Sequence, residues 1–125
     1  MWVAAGKELV SLPVMAVPDL DLARIRRWAD ARVPAHAREQ VRVEVEEDDR
    51  AVTIVERRAP WSDDVGAAWT RVPVARLRYT KIRSQWTLYW CDRNGQFHEH
   101  DTAPTTHVEE LLAEIDRDPT GIFWG

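Results

Sequence analysis

A single cysteine, Cys91, leaves this chain without an internal disulfide and without a thiolate cluster for a metal. No apolar stretch approaches the roughly 20 residues that a membrane-spanning helix requires. The opening residues, Met-Trp-Val-Ala-Ala-Gly-Lys, lack the charged start and long apolar stretch of a secretion signal. Cytoplasmic residence with no membrane partner is therefore the expectation. Glycine is scarce, five in 125 residues, and neither the glycine-rich phosphate loop nor the dinucleotide fingerprint occurs. No cofactor is expected. Lysine is rarer still, two against fifteen arginines, a bias that a GC-rich genome explains as well as selection for phosphate forks. The net charge of −4 argues against a generic nucleic-acid binder.

Tryptophan is what the chain has in excess, seven of 125 residues. Three of the seven fall in or beside two short segments, Trp86-Thr-Leu-Tyr-Trp90 and the closing Ile122-Phe123-Trp124-Gly125. Strict alternation over the first sends Trp86, Leu88 and Trp90 to one side of a strand and Thr87, Tyr89 and Cys91 to the other. So many rings on one strand mark either the middle of the core or a stacking platform for a ligand.

The periodicities supply the rest of the architecture. Residues 1–18 read as an arm with one short strand over 8–14, and 19–125 as a single domain. Asp19 or Asp21 caps a first helix whose apolar face is Leu20, Leu22, Ile25, Trp28 and Ala29, and Pro34 stops it. Val41, Val43 and Val45 alternate with Arg42, Glu44 and Glu46, turn at 47–50 and return over 51–58 as a hairpin. After an aperiodic loop at 59–68, three extended segments form a meander over 69–81, 84–92 and 96–101. Pro73 places its position at a strand start, an edge or a bulge. Asn94-Gly95 accepts the positive φ values of a tight hairpin turn. Thr106 and Glu109 are spaced as a capping box before the stripe Val108, Leu111, Leu112 and Ile115. These elements predict an α+β fold: one antiparallel sheet of about five strands, packed on one face by an N-terminal and a C-terminal helix, the other face partly open. The apolar tail over 120–125 is expected to dock on the domain or on a partner subunit, because exposed it would cost roughly 1.5–3 kcal/mol per large side chain.

Several of these residues are similar to a family of small bacterial proteins known as domain of unknown function 3024. The resemblance rests on Pro73-Val-Ala-Arg-Leu-Arg-Tyr79, Trp86-Thr-Leu-Tyr-Trp-Cys-Asp-Arg-Asn94, Phe97-His98 and the run from Leu111 to Gly125, ending Asp-Pro-Thr-Gly-Ile-Phe-Trp-Gly. It spans about residues 20–125. It implies a bacterial, self-contained domain whose tail belongs to the fold, and brings no activity, cofactor or catalytic residue.

Charge is unevenly distributed. Eight basic residues oppose three aspartates between Arg57 and Arg93, while from Glu99 onward seven acids oppose Arg117 alone. A basic sheet face and an acidic helix face could neutralise each other within one molecule or across a dimer, or the basic face could serve an anionic partner. With Leu77, Tyr79, Trp86, Leu88 and Trp90 turned to the helices, Arg76, Arg78, Thr87 and Arg57 line the open face, with Tyr89 near them. Arginines and aromatics on an open sheet can hold phosphates and stack bases. The competing reading pairs these arginines across strands with Glu44, Glu46, Glu56 or Glu99. Trp61 and Trp69, flanking the acidic loop, either anchor a partner or plug one end of the sandwich.

The candidate binding set is thus Arg57, Arg76, Arg78, Tyr89, Trp61 and Trp69, toward nucleic acid or an acidic protein surface. A homodimer without ligand, joined by the tail or an edge strand, is the alternative. A small metal-dependent hydrolase or nuclease ranks below both. His98 and His100 share a strand face with Cβ atoms roughly 6.5–7 Å apart and could hold an ion with His107 or an acid. No third ligand is fixed by the sequence, so they read more simply as solvent-facing histidines and no metal is assigned. Asp92 reads as an Asx cap of the following turn. Cys91 lacks a histidine partner for nucleophilic chemistry.

Overall fold

The computed structural model describes residues 2–5, 8–11, 17–60 and 66–125. In chain order these form strands β1 (Trp2–Ala5) and β2 (Glu8–Ser11), helix α1 (Asp19–Arg32), strands β3 (Val41–Glu47), β4 (Ala51–Arg58), β5 (Thr70–Thr80), β6 (Gln85–Cys91) and β7 (Phe97–Glu99), and helix α2 (Val108–Arg117). β1 and β2 pair as a separate two-stranded ladder, so the arm carries two strands rather than one. β3 to β7 form one antiparallel sheet in sequential order, an unbroken five-stranded meander.

Register explains the two faces. Trp86, Leu88 and Trp90 lie opposite Tyr79, Leu77 and Ala75, which continue through Val52 and Ile54 to the valines of β3. This face carries the core, where Trp86, Leu88, Leu77, Val52 and Ile54 pack in one buried cluster with Ile25 of α1 and Leu111 and Ile115 of α2. Both helices therefore cover the same side. Pro73 sits at a break in the β4–β5 register beside Ile54 and Val55, beyond the last β5–β6 pair at Ala75 and Trp90, where its missing N–H interrupts no ladder to β6. The central β4 is buried on both sides from Ala51 to Val55, so the opposite face is floored by closed-off side chains rather than bare.

Both helix starts differ from expectation. Pro18 precedes α1 without a side-chain cap, and Asp21 instead accepts the Trp86 indole N–H at 2.8 Å and an Arg24 N–H at 3.0 Å. Leu20 is exposed because it lies about 140° round the helix from Ile25, off the buried stripe. The helix ends at Val33, held extended by Pro34 (φ −121°, ψ 120°). At α2 the N-cap position is His107, with no side-chain cap, and Thr105 rather than Thr106 organises the approach to the helix. Thr105 exchanges two backbone hydrogen bonds with Trp86 (2.7 and 3.0 Å), which fixes its hydroxyl to accept the His107 N–H and donate to Glu110. Every member of the α2 stripe, Val108, Leu111, Leu112 and Ile115, is buried.

The tail closes the core. Asp118, left-handed at φ 41°, ends α2, and its carboxylate accepts the N–H groups of Phe123 (2.9 Å) and Trp124 (2.8 Å). Phe123 is buried, and Ile122 and Trp124 pack half-buried against the same cluster. No helix among the described residues is long and apolar enough to cross a membrane.

Candidate anion-binding end of the open sheet face

The face away from the helices carries cross-strand rows of charged and polar residues. One row runs Arg42–Arg57–Arg71; another runs Glu46–Thr53–Arg76–Tyr89–Glu99; the next pairs Ala51 with Arg78 and Thr87. Strand β3 and its turn supply carboxylates at every second position, and each finds an arginine. Glu44 pairs with Arg57 at 2.5 Å, Glu46 with Arg71 and with Arg57 at 3.6 Å, and Asp48 with Arg76 at 2.9 Å. The hydrogen bond from Arg71 holds the Glu46 carboxyl below the usual carboxylate range, and in return the Arg71 guanidinium is raised. These pairs are half-exposed, and each contributes little to stability, about 0–1 kcal/mol.

The ladder of paired acids ends at Asp48, where β3 turns into β4; Asp49, next in the turn, pairs with no arginine among the described residues. Arg78 lies one row beyond Asp48 with Ala51 as its β4 neighbour, and has no carboxylate partner among the described residues. Arg50 of the turn and Lys81 at the tip of the β5–β6 hairpin are likewise unpaired among them. A concavity of about 580 Å³ lies here, with Asp48, Asp49, Arg50, Arg76, Arg78, Tyr89 and Phe97 on its walls. A second of about 420 Å³ adjoins it, sharing Arg50, Arg78 and Tyr89 and adding Lys81 and Ile82. The guanidinium of Arg76 stands 5.3 Å from the Phe97 ring centroid. Ile82 is 96% exposed, the most exposed large hydrophobic side chain of the described chain.

The sequence-derived set is divided by this geometry. Arg76, Arg78 and Tyr89 come together. Arg57 lies three rows away and is neutralised. Trp69 precedes the far end of β5, where the Arg42 guanidinium covers its ring at 4.3 Å. Trp61 lies outside the described residues. Arg50, Lys81, Asp48 and Phe97 were not singled out from sequence, and only a register count outward from the 47–50 turn would have joined Arg50 to Arg78. The acids of α2 do not balance the sheet arginines: Asp116 accepts from Arg32 (2.5 Å) and from the Trp28 indole (3.0 Å), on the helix side.

His98 and His100 serve different neighbours. His98 stacks on Trp90 at 4.6 Å and contacts Asp92 through Nε2 at 2.6 Å, whereas His100 lies 3.7 Å from Glu114 and packs on Phe123. No group of three metal-ligating side chains occurs among the described residues. Burial raises the Cys91 thiol, which suits a small sheet residue better than a nucleophile. Asp92 caps its turn, accepting the Asn94 and Gln96 N–H groups at 2.8 and 2.9 Å while Gly95 takes φ 79°. The His98 hydrogen bond, then those two amides, hold the Asp92 carboxyl below its ordinary value. Its folded-state value being depressed, its contribution to stability is complete above the ordinary aspartate range near about pH 3.9 and disappears as pH falls through the lower value. Asp92→Asn is therefore expected to lower the urea midpoint at pH 6, with the gap from wild type closing toward pH 2. A gap that is constant with pH would contradict the assignment.

These features stand in a family whose members share the domain. A model described as "Domain of unknown function (DUF3024)" matches residues 12–125. The chain belongs to this family. No curated protein and no solved structure matches it. The matched region of this DUF3024 chain takes in both helices, the whole sheet and the tail.

Proposed function

We propose that this DUF3024 protein is a binding module for an anionic partner, engaged at the end of the open sheet face where Arg50, Arg78 and Lys81 converge. The supporting observation is the interruption of the charge ladder: Arg57, Arg71 and Arg76 each have an acid from β3 or its turn, and Arg78 has none among the described residues. Around the two adjoining hollows Arg50, Arg78 and Lys81 outnumber Asp49, the one lining acid not already paired with an arginine, and this favours an anion there despite the chain's net −4. The bare Ile82 at the rim adds an apolar contact, of the kind a partner covers.

Inorganic polyphosphate is a suitable probe because it offers charge without shape. The protein should bind it at low ionic strength and release it as salt rises. The double substitution Arg50→Ala with Arg78→Ala should weaken binding at least tenfold, with the unfolding midpoint nearly unchanged because both side chains are exposed. Arg57→Ala, three rows away, should leave affinity close to wild type. Binding that survives the double substitution, or absence of binding by the wild type, would remove this reading.

A further inference from the structure

We infer that the anionic partner is single-stranded nucleic acid, held over one dinucleotide step with Arg78 at the intervening phosphate. The inference rests on the anion-binding reading and adds the planar bases to it. Tyr89 and Phe97 are both half-buried on the same sheet face and lie diagonally across β6 and β7, since Cys91 opposes Phe97 and Glu99 opposes Tyr89. Their rings border the first hollow on the side of Arg76. Arg76 is tied to Asp48 and stands over Phe97, so it supplies a plane for stacking rather than a vacant charge. The unneutralised Arg78 lies in the neighbouring row, about 6.6 Å further along β5.

Each hollow therefore has an apolar side and a cationic side. Tyr89 and Phe97 provide the first apolar side, Tyr89 and Ile82 the second, and Arg50 and Arg78 belong to both. A nucleotide has the same bipolar form, a flat ring at one end and a phosphate at the other. Volumes of about 580 and 420 Å³ lie within the range of small-ligand sites, roughly 300–1,000 Å³, so each suits a nucleotide unit and neither suits a duplex. Two hollows that share Arg50, Arg78 and Tyr89 suit two successive units. An acidic peptide would use the cations and leave the rings without a role. Strands are commonly bound in this way, by aromatic side chains on a sheet with cations tracking the backbone.

The experiment measures affinities of the full chain by anisotropy for a labelled mixed-sequence single-stranded hexanucleotide. A duplex of that sequence, a nucleoside monophosphate, polyglutamate and polyphosphate serve as competitors. The hexanucleotide should bind at least tenfold tighter than duplex, mononucleotide or polyglutamate. Tyr89→Leu should weaken it by about fivefold to a hundredfold, the effect of losing one stacked base, without changing polyphosphate affinity. Phe97→Leu, on a different strand, provides the second variant should the first fail to fold. If polyphosphate binds and both leucine variants hold the hexanucleotide like wild type, base recognition is overturned while the anion site stands. Equal affinity for mononucleotide and hexanucleotide would overturn the dinucleotide step, and preference for polyglutamate would overturn nucleic acid itself. Failure of every polyanion to bind would overturn both readings together.

Discussion

Trp86→Ala is expected to lower the free energy of unfolding by about 3–5 kcal/mol, the usual cost of emptying a large aromatic site in a core. The side chain is fully buried, the largest such residue in the described chain. Its ring meets Tyr79 at 5.1 Å between centroids, tilted by 55°, and its indole N–H donates to Asp21 of α1. Its backbone exchanges two hydrogen bonds with Thr105, whose hydroxyl accepts the His107 N–H just before α2. One residue thus joins β6 to the start of both helices. Trp86→Phe keeps most of the apolar volume and removes the indole donor, so a smaller loss of about 1–2 kcal/mol is expected. Asp21 retains Arg24 and access to water, which limits the penalty. Urea unfolding followed by circular dichroism measures both. A cost for the alanine variant below about 1 kcal/mol would mean that the ring is a replaceable surface platform.

That result bears on the choice between core and stacking platform that the Trp86–Trp90 segment posed. Alternation alone assigned Trp86, Leu88 and Trp90 to one face, and the helix stripes identified what covers them. The turn at Asn94-Gly95 is equally legible from a local constraint on φ, whereas the missing donor of Pro73 restricts it to a strand start, an edge or a bulge, and register selects the bulge. The helix starts are not legible in this way. Both helices begin without a side-chain cap, and the segment before α2 is set by the bridge of Thr105 to Trp86, nineteen positions away.

The same distinction separates the candidate residues. Arg57, Arg76 and Arg78 all read as outward-facing arginines, yet whether each meets an acid depends on which row it occupies. Row is set by register, and a single-residue slip would exchange neutralised for unneutralised positions. Arg78 is distinguished only by lying beyond Asp48, where the β3 carboxylates stop. The acidic segment from Glu99 onward reads as a counterweight to these arginines. Its helical part lies instead across the core from them, with Asp116 committed to Arg32 and Trp28, and only Glu99 shares their face. Sheet face and helix face are therefore electrostatically separate, and the net charge of −4 does not describe the surface that a ligand at Arg78 would meet.

Deletion of residues 120–125 is expected to leave the chain largely unfolded at 37 °C. The tail is a third packing element rather than a trailing end. Phe123 is only 7% exposed, and the Trp124 indole donates to the Ile115 carbonyl at 2.9 Å. Arg32 of α1 lies 4.3 Å from the Trp124 ring centroid and 5.9 Å from that of Trp28, and Asp116 of α2 fixes both Arg32 and the Trp28 indole. Tail, α1 and α2 are thus tied at one point. Full burial of a large apolar side chain contributes roughly 1.5–3 kcal/mol, so removing Ile122, Phe123 and Trp124 together should cost more than about 4 kcal/mol. That is most of the margin of a domain whose stability is of the order of 5–15 kcal/mol. Two point variants separate the contributions. Phe123→Ala should cost about 3 kcal/mol through the cavity beneath the helices, and Trp124→Phe about 1 kcal/mol through the lost indole hydrogen bond. The Asp118 carboxylate, which accepts both tail N–H groups, should make Asp118→Ala more damaging than loss of an ordinary helix-end residue. A truncated chain with an unchanged urea midpoint would show that the two helices and the sheet hold together without the tail, and that Phe123 fills a space the core can close on its own.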